Sequence, residues 1–407
     1  MRSRRRTLPA VLTILTGTLV GQGMVVAVSP LLTRSYSAAD FGALSVVTAT
    51  ASVLGAGATF GTDRALAVAR DEHTVRALTL LGFVGALSTG AAVTAVLGAE
   101  RQALACWFSA PALVELWWVV PVTTAVVALQ RIVSARLARA RRYEALAVRN
   151  AGQGIGQTAC NLLLAPLGPI GLIGGLAVGR LVGLIGTARP GSTRPPSGRA
   201  VRHAIVSHRR FLLLTPWSAM LNVVGQQAPW LVIAAVHGSV TAGFVALTTR
   251  VLGSPVGMVA DAVAQWAAGA FGQRVRSGAP VRDLLVRLCV RLALLGVPAV
   301  ALVVLAGPEL FAFVFGPGWR ESGRYAQILV PAVAVQLAVS PLTQLLGMLG
   351  RQPTQLVWDA SRLIATTAAV LVPSVMGAPM PVVLAALSAA MIGSYLVVLC
   401  LVVRAAH

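Results

Sequence analysis

The sequence contains no lysine and few acidic residues. Its 33 basic residues are all arginine, against 12 aspartates and glutamates, and charged residues make up only 11% of the 407 positions. A soluble domain of ordinary composition carries about 25% charged residues. The scarcity of charge therefore excludes an ordinary soluble protein, and the arginine-only usage, with abundant alanine and glycine, is typical of GC-rich coding.

Signatures of chemistry are also missing. The four cysteines (Cys106, Cys160, Cys289 and Cys400) have no metal or redox spacing, and no HExxH motif occurs. No GxxxxGK[ST] segment is present, so no nucleotide site is expected. A membrane polymerase or ligase would be expected to carry paired carboxylates in a long external loop, and the first predicted external loop offers only Asp40. The sequence predicts no enzyme, catalytic residue, cofactor or metal site.

Hydrophobic residues, in contrast, make up 57% of the chain. A membrane-spanning helix needs about 20 mainly apolar residues, and about 12 such segments follow one another here. They lie at 8–32, 41–60, 77–98, 108–130, 145–165, 168–187, 211–236, 240–265, 285–306, 326–348, 357–376 and 379–403. The first is too long for the core of a signal peptide, which has roughly 7–15 residues. The pattern predicts an all-α polytopic membrane protein.

Arginine is distributed unevenly between the two sides of these spans. With the N-terminus inside, 27 arginines fall on the cytoplasmic side and four outside, and Arg180 and Arg250 lie within spans. Positive charge collects on the cytoplasmic side of membrane proteins. We therefore expect both termini to be cytoplasmic, and the net charge of +21 to reflect topology and not binding to nucleic acid.

One stretch has the composition of a linker. The segment 189–210 is rich in arginine, proline and glycine and divides the spans six and six. This predicts an N-terminal six-helix lobe over 1–188 and a C-terminal six-helix lobe over 211–407. Six spans return the chain to the same side, so the lobes form a parallel pseudo-repeat around a central cavity, as in transporters built from two repeats.

Polar residues inside the spans supply the candidate site. In span 8, Arg250, Ser254, Asp261 and Gln265 share one helical face. Spans 5 and 7 carry similar stripes, and span 1 carries Gln22 and the close-packing motif Gly17-x-x-x-Gly21. The stripe in span 5 is Asn150, Gln153, Gln157 and Asn161, and that in span 7 is Ser218, Asn222, Gln226 and Trp230. They either line a shared aqueous cavity or hydrogen-bond across helices.

Charge within the bilayer is costly and marks a candidate function. Arg250 lies near mid-membrane and Asp261 near the cytoplasmic end of span 8. Glu115 is either a proton-coupling carboxylate or an interfacial residue, depending on where span 4 begins. Arg180 lies near the cytoplasmic end of span 6, where its side chain can extend to the surface.

Four passages, in order along the chain, resemble the polysaccharide-flippase branch of the MOP exporter superfamily. Pro30-Leu-Leu-Thr-Arg-Ser-Tyr-Ser-Ala-Ala-Asp-Phe-Gly42 is similar to the family's first external turn, with Ala38 where proline is usual. Arg210-Phe211 with Gln226-Gln-Ala-Pro229 resembles its seventh span. The segment 242–255 resembles its eighth helix, and Phe315-Gly-Pro-Gly-Trp319 the external turn after span 9.

The resemblance implies a flippase of the bacterial cytoplasmic membrane. It would move a polyprenyl-diphosphate-linked oligosaccharide to the outer leaflet by alternating access, for surface polysaccharide biosynthesis, alongside polymerase or glycosyltransferase machinery. Arg250 would contact the diphosphate, and Ser254, Asn222, Gln226, Gln157 and Gln22 would complete the substrate site. Asp261 and Glu115 are the candidates for ion coupling.

Three alternatives stay open. A drug exporter of the same superfamily would need an acidic cavity for cations, whereas the best-placed charge here is basic. A polysaccharide polymerase or ligase is disfavoured by the short external loops. A non-transporting scaffold of cell-wall assembly would tolerate loss of Arg250.

Overall fold

The computed structural model describes residues 4–69, 71–140, 142–185, 187, 196–277, 282–343 and 351–405. All regular elements in these ranges are helical, which confirms the predicted all-α fold. The α-helices are α1 (Arg4–Ala27), α2 (Ser29–Ser35), α3 (Ala38–Gly57), α4 (Thr62–Val68), α5 (Glu72–Ala99), α6 (Arg101–Trp107), α7 (Ala112–Leu116), α8 (Val119–Arg139), α9 (Tyr143–Leu163), α10 (Pro169–Ile185), α11 (Gly198–Ser207), α12 (Arg209–Ser277), α13 (Arg282–Phe315), α14 (Arg320–Val339), α15 (Gln352–Val375) and α16 (Met380–Ala405). Short 3-10 turns lie at Ala165–Leu167, Pro317–Trp319 and Ser340–Leu342.

The helices account for all twelve predicted spans. Nine segments of the described residues are long and apolar enough to cross a membrane, and one of them, Thr215–Ala260, holds two predicted spans. These two are separated at Gly238, whose φ of +82° breaks α12. Predicted spans 5 and 6 are α9, whose polar residues lower its hydropathy, and α10, which has only 17 residues. The polytopic membrane architecture is confirmed.

The chain forms two compact units, Met1–Val240 and Thr241–His407. The predicted lobes divide earlier, at 189–210. Most of the arginine- and proline-rich part of that segment lies outside the described residues, and its C-terminal part forms α11. The first half of α12 groups with the first unit, where Ser239 Oγ donates to the Ser109 carbonyl at 2.7 Å. The lobe boundary at 189–210 stays a prediction.

Glycine lets α1 and α9 pack backbone against backbone. A Cβ added at Gly21 would lie 2.2 Å from the carbonyl oxygen of Asn150, and one at Gly154 would lie 2.1 Å from the carbonyl oxygen of Gly21. Contacts this short exclude any larger residue unless the helices separate. The predicted packing role of the glycine motif in span 1 is confirmed.

The first external turn is held by two polar contacts. Ser37 caps α3 in a capping box, in which the Ser37 amide donates to the Asp40 carboxylate at 2.9 Å. The hydroxyl of Tyr36 donates to the carbonyl oxygen of Asn161 at 2.6 Å, which ties this turn to the end of α9. Burial raises the pKa of Tyr36 to about 12, so the phenol remains a donor at ordinary pH. Asp40 is therefore a structural residue of the turn.

The second unit has its own core, built from α13 to α16. Trp358 of α15 donates from Nε1 to the Ser394 carbonyl of α16 at 2.8 Å, and the Arg362 guanidinium lies 5.0 Å from the centre of the Trp358 ring. Thr248 joins α12 to α14 by donating to the Ser322 carbonyl at 2.8 Å. These contacts fix the second half of α12, which carries Arg250.

Candidate substrate-binding site

The first unit contains a basic cavity of about 480 Å³. It is lined by Ser52, Asp63, Arg64, Val127, Gln130, Arg131, Ser134, Ala135, Arg149, Arg180 and Val223. Four of these residues are arginines and only one is acidic. A low-dielectric wall carrying an excess of one sign concentrates ions of the opposite sign. The cavity is therefore suited to an anion.

Gln130 links three helices at the wall of this cavity. The side chain of this α8 residue is buried, and its Nε2 donates to the Arg180 carbonyl of α10 at 2.9 Å and to Gln153 Oε1 of α9 at 3.1 Å. Its Oε1 accepts from Arg180 Nη1 at 3.2 Å. One amide thereby fixes both the backbone and the guanidinium of Arg180.

Arg149 of α9 is fixed on the other side of the same residue. Its Nη1 donates to Ser134 Oγ and, at 3.4 Å, to the Gln130 carbonyl. Its Nε and Nη2 donate to Asn150 Oδ1 at 3.1 and 2.6 Å, and Asn150 donates in turn to Thr18 Oγ1 of α1 at 2.8 Å. Because Arg149 and Arg180 both contact Gln130, two guanidinium groups are held beside each other.

The single carboxylate of the cavity is already paired. Asp63 Oδ2 lies 2.9 Å from Arg131 Nη2, and Asp63 Oδ1 accepts from Thr59 Oγ1 at 3.1 Å. The Nε atoms of Arg131 and Arg180 are buried and donate to none of the described residues. The cavity thus retains cationic donor capacity that its own residues do not satisfy. Arginine presents its donors in a planar fork that matches phosphate oxygens in pairs.

The stripe of span 5 is directed mainly at neighbouring helices. Asn150 and Gln153 contact α1 and α8, as described above. Gln157 is buried against α10, where a Cβ added at Gly179 would lie 2.5 Å from its own Cβ. These contacts agree with the alternative of hydrogen bonds across helices for Asn150 and Gln153, and the cavity-lining alternative for the stripe stays a prediction. A substrate contact by Gln157 stays a prediction.

The other three substrate-binding residues predicted in the first unit are exposed. Gln22 lies on α1, and Asn222 and Gln226 lie on the first half of α12, where Gln226 donates weakly to the Asn222 carbonyl at 3.4 Å. Their neighbour Val223 lines the basic cavity. Glu115 is exposed on the short helix α7, and membrane-length α8 begins only at Val119. This placement matches the interfacial alternative for Glu115.

The stripe of span 8 belongs to the second unit. Arg250 and Ser254 lie on the second half of α12 and are partly buried. The side chains of Asp261 and Gln265 lie outside what the structure describes. Their position on the same helical face as Arg250 and Ser254 therefore remains a prediction. The lining of the basic cavity contains neither Arg250 nor Ser254.

Sequence reasoning missed the residues that build the basic cavity. From the sequence, Arg131 and Arg149 were interpreted only as positive charges of a cytoplasmic loop. Arg180 was interpreted as a side chain that extends to the membrane surface. One sequence pattern could have indicated part of this cavity. Gln130 and Ser134 are four residues apart, so they share one polar face of α8. Among the described residues, no group of three histidine, cysteine or acidic side chains is placed to hold a metal ion.

Comparison with known proteins agrees with this architecture. The sequence profile of a family described as "Polysaccharide biosynthesis protein" matches residues 31–324. No functionally curated protein matches the chain.

Solved structures share the fold at low identity. A multidrug resistance MATE family transporter of the MOP superfamily is 14% identical with a TM-score of 0.70, over 98% of both chains. The lipid II flippase MurJ is 13% identical with a TM-score of 0.71, over 97% of this chain and 87% of that one. A MOP superfamily transporter from Pyrococcus furiosus, described as having a binding pocket of reverse polarity, is 14% identical with a TM-score of 0.56, over 98% of this chain and 96% of that one. The predicted resemblance to the MOP superfamily is confirmed.

Proposed function

Because this chain belongs to the polysaccharide biosynthesis protein family, we propose that it is a flippase for a polyprenyl-diphosphate-linked oligosaccharide. It moves this lipid from the cytoplasmic to the outer leaflet of the bacterial cytoplasmic membrane for surface polysaccharide biosynthesis. Both termini are cytoplasmic in this proposal, and polymerase or glycosyltransferase machinery acts on the same lipid. The observation that carries the proposal is the basic cavity of the first unit.

The diphosphate is the anion that this cavity suits. Arg149 and Arg180 are held by Gln130, so binding requires little further ordering of their side chains. Preorganised donors lose less entropy when a ligand binds. Arg250 of the second unit supplies a further phosphate contact at another stage of transport. Alternating access of the two units carries the anion between these arginines.

The exposed amides are suited to the glycan. Gln22, Asn222 and Gln226 each offer a donor and an acceptor, and hydroxyl-rich sugars require both. Ser254, one turn after Arg250, adds a hydroxyl. Gln157 supports the site from within the helix packing. For ion coupling we place Asp261 ahead of Glu115, because Glu115 precedes the membrane-length part of span 4.

The sign of the cavity argues against export of a cationic drug. A cation would meet four arginines and one aspartate that is already paired with Arg131. Moving a cation there adds repulsion to the cost of removing its water.

The test uses a deletion strain of the native host. Loss of the protein should cause a complete lipid-linked oligosaccharide to accumulate, facing the cytoplasm. Wild type should remove this pool, and Arg180→Gln in the basic cavity and Arg250→Gln should each rescue poorly at equal membrane levels. Arg324→Gln is the matched control, because Arg324 forms only an exposed ion pair with Glu321 at 3.0 Å. If no lipid-linked glycan accumulates in the deletion strain, the flippase proposal is wrong.

A further inference from the structure

The first unit carries a second cavity, of a different kind. It is a groove of about 690 Å³ lined mainly by residues of α5 and α8, with Leu184 of α10 and Thr187 also in its lining. Phe83, Leu87, Leu129 and Val133 form its apolar walls. Its lining shares no residue with the basic cavity.

Arginines cluster at one end of this groove. Arg136, Arg139 and Arg142 lie where α8 ends, facing the start of α5, and Glu72 is the only acidic residue in the lining. Arg139 donates to the Ala69 carbonyl at 2.9 Å and so holds the connection before α5. The guanidinium groups of Arg136 and Arg142 form no hydrogen bond or ion pair with any residue in the described part of the chain. An apolar wall with a basic end is complementary to a lipid with an anionic headgroup.

The length of the groove matches one leaflet. Along α8, the rise from Leu129 to Arg139 is about 15 Å at about 1.5 Å per residue. The hydrocarbon core of a bilayer is about 30 Å thick, so one leaflet occupies about half of it. A chain lying along Leu87 and Leu129 would therefore place its headgroup beside Arg136 and Arg142. A polyprenyl chain spanning more than one leaflet would extend well past the walls.

We propose that this groove is a binding site for an anionic phospholipid of the leaflet on the arginine side. An acyl chain lies against Phe83 and Leu129, and the headgroup phosphate is bound by Arg136 and Arg142. The occupied groove fills the space between α5 and α8 and stabilises the first unit. This site is distinct from the proposed transport path and does not depend on the transported substrate.

The experiment measures lipid binding to the full-length protein. Purified protein in nanodiscs of phosphatidylcholine with increasing phosphatidylglycerol is compared by native mass spectrometry and by thermal unfolding. Wild type should retain phosphatidylglycerol in preference to phosphatidylcholine and should melt at a higher temperature when it is present. Each arginine near an anionic surface contributes about a fivefold change in binding. The double variant Arg136→Gln/Arg142→Gln should lose this preference.

Two further variants locate the effect. Arg320→Gln/Arg324→Gln removes the same charge from exposed residues of the second unit and should bind phosphatidylglycerol as wild type does. Val133→Trp fills the groove without changing charge and should weaken retention. The proposal is overturned if both groove variants retain the lipid, or if the second-unit control loses it equally. It is also overturned if farnesyl diphosphate displaces phosphatidylglycerol at equal concentration, which would assign the groove to the substrate lipid.

Discussion

The two cavities of the first unit use arginine in opposite ways. In the basic cavity, Arg149 and Arg180 are fixed by Gln130, and neighbouring helices supply their partners. In the apolar groove, Arg136 and Arg142 lie at the end of α8 without such support. Fixed and partly buried guanidinium groups suit selective binding of one anion, whereas unsupported ones suit a headgroup that exchanges with the bilayer. The same residue type thus serves two purposes, and its hydrogen-bond partners decide which.

The largest expected effect is a difference in transport between variants of the basic-cavity arginines and variants of the groove arginines. Arg180→Gln keeps an amide that can bond Gln130 but removes the charge, and we expect rescue of the deletion strain to fall about tenfold or more, because a hydrogen bond to a charged group contributes about 1.5–3 kcal/mol. Arg136→Gln should change rescue less than about twofold, since its charge is exposed to screening. The accumulated lipid-linked glycan measures both. Equal losses of rescue in the two variants would contradict the different roles proposed for the two cavities.

The next effect comes from removing the side-chain amide that supports Arg180, because Arg149 bonds only the backbone carbonyl of Gln130. Gln130→Leu leaves the buried Arg180 carbonyl and Gln153 Oε1 without their amide donor, and a buried group left unsatisfied costs about 1–3 kcal/mol. The melting temperature should fall, together with rescue. Gln226→Leu is the control for the melting temperature alone, because Gln226 is exposed and makes only a weak local bond, whereas its proposed contact with the glycan excludes it as a control for rescue. A Gln130→Leu protein as stable as wild type would show that the network has no structural importance.

A smaller effect is expected from a substitution that makes the net charge of the basic cavity more positive. Asp63→Asn removes its only carboxylate and releases Arg131 from its ion pair. Binding of inorganic pyrophosphate to the purified protein, measured by calorimetry, should strengthen by about three- to tenfold, the size of one charge pair at an effective dielectric constant between those of water and the protein interior. Weaker pyrophosphate binding would mean that Asp63 and Arg131 serve another purpose.

The smallest effect is the response to salt. Raising the ionic strength from about 0.1 M to about 1 M shortens the Debye length from about 10 Å to about 3 Å. Binding of phosphatidylglycerol at Arg136 and Arg142 should weaken more steeply than binding of pyrophosphate in the basic cavity. Titrations at both ionic strengths give, for each ligand, the change of affinity with ionic strength. A steeper loss of affinity for pyrophosphate than for phosphatidylglycerol would reverse the assignment of fixed and unsupported arginines.

The fold was largely predictable, because apolar runs long enough to span a bilayer leave few alternatives to helices. The span predicted at 145–165 corresponds to α9, even though its stripe of amides lowers its hydropathy. The site was less predictable. A glutamine such as Gln157 has the same sequence signature whether it faces a cavity or a neighbouring helix, and its close approach to Gly179 of α10 is visible only in the fold.

Arg149 and Arg180 illustrate the same limit. Both lie near helix ends, where the positive-inside rule already explains an arginine without any binding role. Their meeting at Gln130 depends on how α8, α9 and α10 pack, and sequence periodicity within one helix does not report that. The capping box at Ser37 and Asp40, in contrast, is a local pattern that depends only on residues three positions apart, although it was recognised only in the structure.

The most direct test of the central claim is transport in a defined membrane. Lipid-linked glycan extracted from the deletion strain is reconstituted with purified protein into vesicles, and its arrival at the far leaflet is followed with a membrane-impermeant lectin. We predict that wild type and Arg136→Gln/Arg142→Gln expose the glycan at similar rates and that Arg180→Gln does so at about a tenth of the rate or less. A rate for Arg180→Gln equal to that of wild type would contradict the assignment of the basic cavity to the diphosphate.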